Sequence, residues 1–130
     1  MKLLEKFSDY AYALLRMVTG FMLTFHGFQK ILGVLAGQQP QPPVGSQLWY
    51  GGLIELFGGL AVMLGFRTRW AAFLASGMMA VAYFQFHWKF QLGPQFLPGV
   101  NHGELAVLYC FVFFFIACRG SGKWSLDKKA

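Results

Sequence analysis

The chain has 130 residues, of which 56% are hydrophobic, 18% aromatic and only 12% charged. A charged share about half of the roughly 25% usual in soluble domains, in apolar blocks about as long as a bilayer is thick, excludes a soluble enzyme and limits the chain to one domain. Eleven Lys and Arg against five Asp and Glu give a net charge of +6, but most of these cations flank apolar blocks, so the basicity reads as topogenic and not as a nucleic-acid footprint.

Four apolar blocks follow in order, at about 10–35, 48–66, 70–88 and 101–118. At about 1.5 Å per residue, 18 or more residues cross a hydrocarbon core of roughly 30 Å, so each block is expected to span the membrane. The fourth is the shortest in charge-free length, which places Asn101, His102 and Glu104 at the interface or turned inward. Residues 37–47, with Pro40, Pro42 and Pro43, predict an extended loop; 65–69 predict a tight turn; and 89–100, with Gly93, Pro94, Pro98 and Gly99, predict a second loop that caps the bundle together with the first. Short links make sequential helices antiparallel neighbours, so the expected fold is an all-α, up-down-up-down four-helix membrane bundle.

Lys2, Lys6, Arg67, Arg69, Arg119, Lys123, Lys128 and Lys129 fall on one side of such a bundle, and only Lys30 and Lys89 on the other. This bias predicts a multi-pass protein with both termini in the cytoplasm. Arg16 interrupts the first apolar run and no small-residue cleavage pattern follows it, which disfavours a signal peptide.

Ionisable residues inside the spans are costly, on the order of 2.5 to 3.5 kcal/mol each at mid-membrane, and therefore informative. They are Arg16 and His26 in the first block, Glu55 in the second, His87 at the end of the third and Glu104 at the start of the fourth. His26 and Lys30 lie about 15 and 21 Å further out than Arg16 along a helix, and Glu55 about two turns below the outer surface. His26, Lys30, Glu55, His87, His102 and Glu104 are thus expected to converge on the outer half of the bundle. Arg16, Gly20, Gly27 and Lys30 share one arc of the first helix with His26 at its edge, while Gly51, Gly52, Gly58 and Gly59 share the Glu55 face of the second and allow close approach.

Such a pocket admits three readings. Two imidazoles and two carboxylates can bind a divalent metal, although the Glu-x-x-His pair of carboxylate-bridged bundles is missing. The same groups can hold the head of a quinone, with Glu55 and His26 exchanging protons, Lys30 and Arg16 stabilising an anionic head, and His87, Asn101 and Glu104 completing the wall. They can also form an ion-pair network, Arg16 or Lys30 with Glu55 and Glu104, that only sets helix register. Cys110 and Cys118, about 12 Å apart along one helix, cannot bridge each other, and no C-x-x-C, Walker loop or haem-attachment signature is present. Redox work would need an external or lipid-soluble carrier.

The segments ALLRMVTGFMLTFHGFQKILG, GGLIELFGGLAVMLGFRTRWAA, the His87 region, NHGELAVLY and GKWSLD together resemble the DoxX family of small bacterial inner-membrane proteins, over about Ala13 to Asp127. The resemblance implies a four-helix membrane protein, often described as an oxidoreductase or quinol-oxidase-like subunit because relatives are linked to thiosulfate:quinone oxidation. It also implies other membrane or soluble redox subunits as partners and, for some members, a scaffold role. Arg16, His26, Lys30, Glu55, Arg69, His87, Asn101 and Glu104 are the polar positions that match. The expectation is a membrane component of a redox system that handles a quinone or similar apolar carrier. A non-catalytic assembly subunit is the principal rival, followed by a metal or small-solute transporter, for which four helices would have to form a homo-oligomer. Trp124, Ser125 and Asp127 are expected to cap the bundle or dock a partner.

Overall fold

The structure is a computed structural model that describes residues 1–128. It is helical throughout, with no strand among the described residues. After a one-turn helix at Lys2–Glu5, helix α1 (Ser8–Leu32) ends at Gly33, whose positive φ lets the chain leave the helix. Helix α2 (Gln47–Leu64) starts at Ser46, whose hydroxyl accepts from the Trp49 amide, and contains a π-helical turn at Ile54–Gly58. Helix α3 (Thr68–Ala82) runs on through a second π-helical turn at Tyr83–Trp88. Helix α4 is Glu104–Arg119.

The fourth helix therefore begins three residues later than the sequence predicts. Asn101 closes a separate turn, Pro98–Asn101, and its side-chain oxygen accepts from the Gly103 amide, while His102 takes a left-handed conformation that breaks the helix. The first helix stops three residues earlier than expected, at the Gly33 cap.

Helix α1 packs along α2 and α3 along α4, with α2 also touching α3. Leu23, Val62, Ala75, Met79, Phe113 and Ile116 fill the centre. The first contact is close because it is made by glycine. A methyl group on Gly27 would sit 2.3 Å from the Leu56 amide nitrogen, and one on Gly59 would sit 2.6 Å from that of Thr24. Gly52 and Gly59 do face α1, but Gly51 and Gly58 point at α3 instead of sharing that surface, so the four glycines serve two neighbours. Across α3 and α4, the buried Ser76 hydroxyl donates to the Cys110 carbonyl.

The exterior is apolar, and the interior carries polar groups beside its apolar core. Arg16, Thr19, Thr24, Glu55, Thr68 and Ser76 are buried, while Phe21, Phe57, Phe73, Leu108 and Phe111 stand exposed. Among the described residues, by length and mean hydropathy alone, one helix, Gln47–Leu64, is long and apolar enough to cross a bilayer. The regular parts of α3 and α4 have 15 and 16 residues, and α1 carries Asp9, Arg16 and Lys30.

The C-terminal segment folds back across one end of the bundle. Helix α2 ends in a left-handed Gly65 with the Phe66 amide bonded to the Ala61 carbonyl, and the Leu126 and Asp127 amides continue the pattern onto the Leu64 and Gly65 carbonyls. Asp127 then caps α3 from a distance, accepting from the amides of Arg67 and Thr68 and from the Thr68 hydroxyl at 2.7–2.9 Å. This is the capping role expected of the Trp124, Ser125 and Asp127 segment. Lys129, counted above among its cations, lies outside the described residues.

Partial burial of Asp127 opposes its ionisation, but the three hydrogen bonds and the charge of Arg16 outweigh it and hold the carboxyl below its usual range. A depressed folded-state pKa contributes stability that is present above the unfolded value, about 3.9, and is lost as pH falls through the folded value. Wild type is therefore expected to be more stable than Asp127→Asn at neutral pH, with the gap closing as the pH of a denaturant titration is lowered below about 4. A gap that stayed constant with pH would refute the linkage.

Candidate functional site

The ionisable residues near the other end of the bundle line two adjoining clefts. One, of about 270 Å³, is bordered by His26 and Lys30 from α1, Glu55 from α2, His87 from α3, His102 from the loop and Tyr109 from α4. The other, of about 280 Å³, shares Lys30, Glu55 and His87 and opens between α2 and α3 beside Gln47, Gly51 and Met78. Leu23, Met79, Ala82, Leu105 and Ala106 supply apolar walls.

Glu55 is the anchor of this cluster. Its residue is 5% exposed, and Lys30 Nζ donates to its Oε1 at 2.6 Å. The second oxygen, Oε2, is buried with no hydrogen-bond partner among the described residues, and so is the Tyr109 hydroxyl. A buried polar atom left unpaired costs about 1–3 kcal/mol. Glu55 and Tyr109, which carry two such atoms, an acceptor and a hydroxyl, border the same cleft. Such a pair of unmet groups is the pattern expected where a ligand's own polar atoms complete the bonding.

The backbone is irregular where these side chains attach. Glu55 lies in the π-helical turn of α2 and His87 in that of α3. A π-helical turn carries an extra residue and re-aims the side chains on it, and such turns occur often at functional sites. His87 Nδ1 lies 3.3 Å from the Asn101 carbonyl oxygen. A carbonyl only accepts, so this contact requires the proton on Nδ1. The Asn101 side chain donates to the Gln95 carbonyl and the Tyr83 hydroxyl and accepts from Gly103, and the Tyr83 hydroxyl in turn donates to the Phe96 carbonyl.

Of the residues the sequence singles out, His26, Lys30, Glu55, His87 and His102 meet at the clefts. Three do not line them. Arg16 lies at the opposite end, wholly buried, with its guanidinium donating to the carbonyls of Val62, Met63, Lys123 and Trp124 at 2.7–3.0 Å. It caps the C-terminus of α2 and clamps the returning tail, which leaves no terminal nitrogen for a ligand. Asn101 organises the loop above the clefts, and Glu104 is exposed on the first turn of α4. The expected ion-pair network accordingly reduces to Lys30 with Glu55. Arg69 repeats the Arg16 arrangement, donating to the carbonyls of Ala117, Cys118 and Arg119 at the end of α4. Tyr109 is the site residue that sequence reasoning misses. An aromatic in an apolar helix reads as packing, and only its buried, unpartnered hydroxyl marks it out.

Among the described residues, no three His, Cys, Asp or Glu side chains come together as a metal-ligand set. Cys110 and Cys118 are free thiols, the first half-buried and the second exposed.

An apolar exterior around clefts lined by ionisable side chains is the arrangement of a helical membrane protein. The family model DoxX matches residues 11–88, and the chain belongs to the DoxX family. It is 39% identical over 131 residues to an uncharacterised protein of Haemophilus influenzae, covering 99% of this chain and 97% of that one. It is 27% identical over 128 residues to Inner membrane protein YqjF of Escherichia coli strain K12, covering 96% and 95%. No solved structure matches the chain.

Proposed function

We propose that this chain crosses the bacterial inner membrane four times, with both termini cytoplasmic, and binds the head of a quinone or similar apolar carrier as the membrane component of a redox system. The observation that carries the ligand assignment is the pair of unmet buried atoms, Glu55 Oε2 and Tyr109 Oη, on two residues that border one cleft with a lysine and three histidines. The membrane placement is supported by the exposed apolar surface, by the family, by the cation asymmetry and by the printed name of the Escherichia coli relative.

A quinone head carries two carbonyl acceptors and, once reduced, two hydroxyl donors, so when bound it supplies the electron chemistry that the side chains lack. The residues present fit that alternation. The Tyr109 hydroxyl and Lys30 are donors towards a carbonyl, and Glu55 accepts from a hydroxyl and can take its proton. His26 stands in the same cleft as the second proton-exchanging group, and His87, with Nδ1 committed to the Asn101 carbonyl, offers Nε2. Glu55 and His26 are thus the proposed proton-exchanging pair, with Lys30, Tyr109 and His87 as binding groups.

The surroundings also suit an apolar tail. The adjoining cleft between α2 and α3, which also contains Lys30, Glu55 and His87, shares Gln47, Gly51, Met78 and Val81 with a groove of about 440 Å³ walled by Tyr50, Ile54, Phe73 and Leu74. At Gly77, on the same groove, an added methyl would meet nothing within 4 Å. Binding of a long-tailed quinone and a short-chain analogue, followed by quenching of tryptophan fluorescence, tests the reading. Glu55→Gln is expected to weaken both by about tenfold or more, the scale of a hydrogen bond to a charged group. Gly77→Leu should weaken only the tailed ligand. Wild-type affinity for both ligands in Glu55→Gln would refute the assignment.

One observation favours an assembly role in addition. Trp124 and Leu126 are exposed on a tail that is itself tied down by the Arg16 and Asp127 bonds, a rigid apolar display suited to docking a soluble redox partner. Recovery of one stoichiometric enzyme with the purified protein, lost in a Trp124→Ser variant, would support that role.

A further inference from the structure

We propose that the Arg16 end of the bundle holds a second site, which binds the phosphate of an anionic phospholipid headgroup. A cleft of about 510 Å³ lies there between the α2–α3 turn and the end of α4, within the roughly 300–1,000 Å³ range of ligand clefts. Arg67, Arg69, Arg119 and Lys128 surround it, with Trp70 at its rim.

The charges do not cancel locally. Asp127 is the one carboxylate among the described lining residues, and its oxygens are occupied by the Arg67 amide and by Thr68. Arg119 is paired with Asp9 at 2.7 Å and lies over the Tyr12 ring. Arg69 is turned onto backbone carbonyls, which carry partial charges only. The side chains of Arg67 and Lys128 make no hydrogen bond or ion pair with the described residues. Among the described residues, four cations against Asp127 and Asp9 leave two positive charges uncompensated around a concave surface, which is a setting for a phosphate group.

The neighbouring surface favours a lipid over a free anion. Trp70 is 71% exposed, and Phe73 and Leu74, one turn further along α3, are also exposed, as is Phe115 one turn before Arg119. A headgroup in the cleft would therefore have its acyl chains against apolar side chains, and an indole at the rim is the usual marker of the headgroup level. This inference rests on the membrane placement proposed above but not on the identity of the ligand near Glu55.

Native mass spectrometry of the full chain, released from mixed micelles of phosphatidylglycerol and phosphatidylcholine, tests it. Wild type is expected to retain phosphatidylglycerol preferentially. Arg67→Gln should reduce that retention roughly fivefold, and Arg67→Gln with Lys128→Gln further still. Lys89→Gln, at the other end, should leave it unchanged. Equal retention of both lipids, an unaltered double variant, an equal loss in Lys89→Gln, or full displacement by inorganic phosphate at matched concentration would each overturn the assignment.

Discussion

Arg16→Leu is expected to lower the unfolding free energy by about 3–5 kcal/mol, the scale for leaving several carbonyl acceptors without their charged donor at about 1–3 kcal/mol each. The guanidinium is wholly buried and bonds four carbonyls from two segments, Val62 with Met63 and Lys123 with Trp124. Leucine fills part of the space but leaves the carbonyls at the end of α2 and in the returning tail without this donor. Lysine places all its donors on one nitrogen and cannot reach both pairs of carbonyls, so Arg16→Lys should be intermediate. A denaturant titration of the three proteins decides the matter. A loss below about 1 kcal/mol in the leucine variant would mean that the tail does not depend on this residue.

The second large effect is expected at Gly27. Alanine is the better helix former by about 1 kcal/mol, so on propensity alone Gly27→Ala should stabilise the protein. The added methyl, however, would lie 2.3 Å from the Leu56 amide nitrogen and 2.5 Å from its Cα, and these backbone atoms cannot swing aside. Helices α1 and α2 must separate. Overpacking of this kind costs about 1–3 kcal/mol and occasionally more, so the net result is a destabilised protein. Leu56 directly follows Glu55, and Lys30 lies one turn beyond Gly27, so the same separation pulls the ion pair apart. Gly27→Ala should therefore lose quinone binding along with stability, whereas Gly77→Ala, which meets open space, should lose neither. An unchanged unfolding free energy in Gly27→Ala would contradict the packing.

How far the sequence reaches depends on whether a feature is local. The convergence of His26, Lys30, Glu55 and His87 follows from helical rise and from the scarcity of charge in an apolar chain, and it survives small errors in helix boundaries. Glu104 and Asn101 fail that tolerance, because the Pro98–Asn101 turn and the left-handed His102 delay α4 and take both residues away from the cleft. Arg16 does lie towards the end of the bundle away from His26 and Lys30, but its contacts there are not read from the sequence. Its partners Lys123 and Trp124 lie more than 100 residues later, and no periodicity announces that the tail folds back. Arg69 capping α4 is equally unannounced, whereas for Asp127 a capping role is expected but its partner, the start of α3, is not. The π-helical turns that aim Glu55 and His87 have no composition signature at all. They depend on how α2 and α3 pack.

The central claim is that the cleft beside Glu55 is a ligand site and not merely an ion pair that holds two helices. It is tested most directly by native mass spectrometry of the protein as purified from its own membrane, compared with His26→Ala and Glu55→Gln at equal folded fraction. Wild type is expected to carry one adduct of quinone-sized mass, depleted in both variants while other lipid adducts persist. Wild type without such an adduct, or an adduct retained undiminished in both variants, would contradict the claim and leave Lys30 and Glu55 as a structural pair.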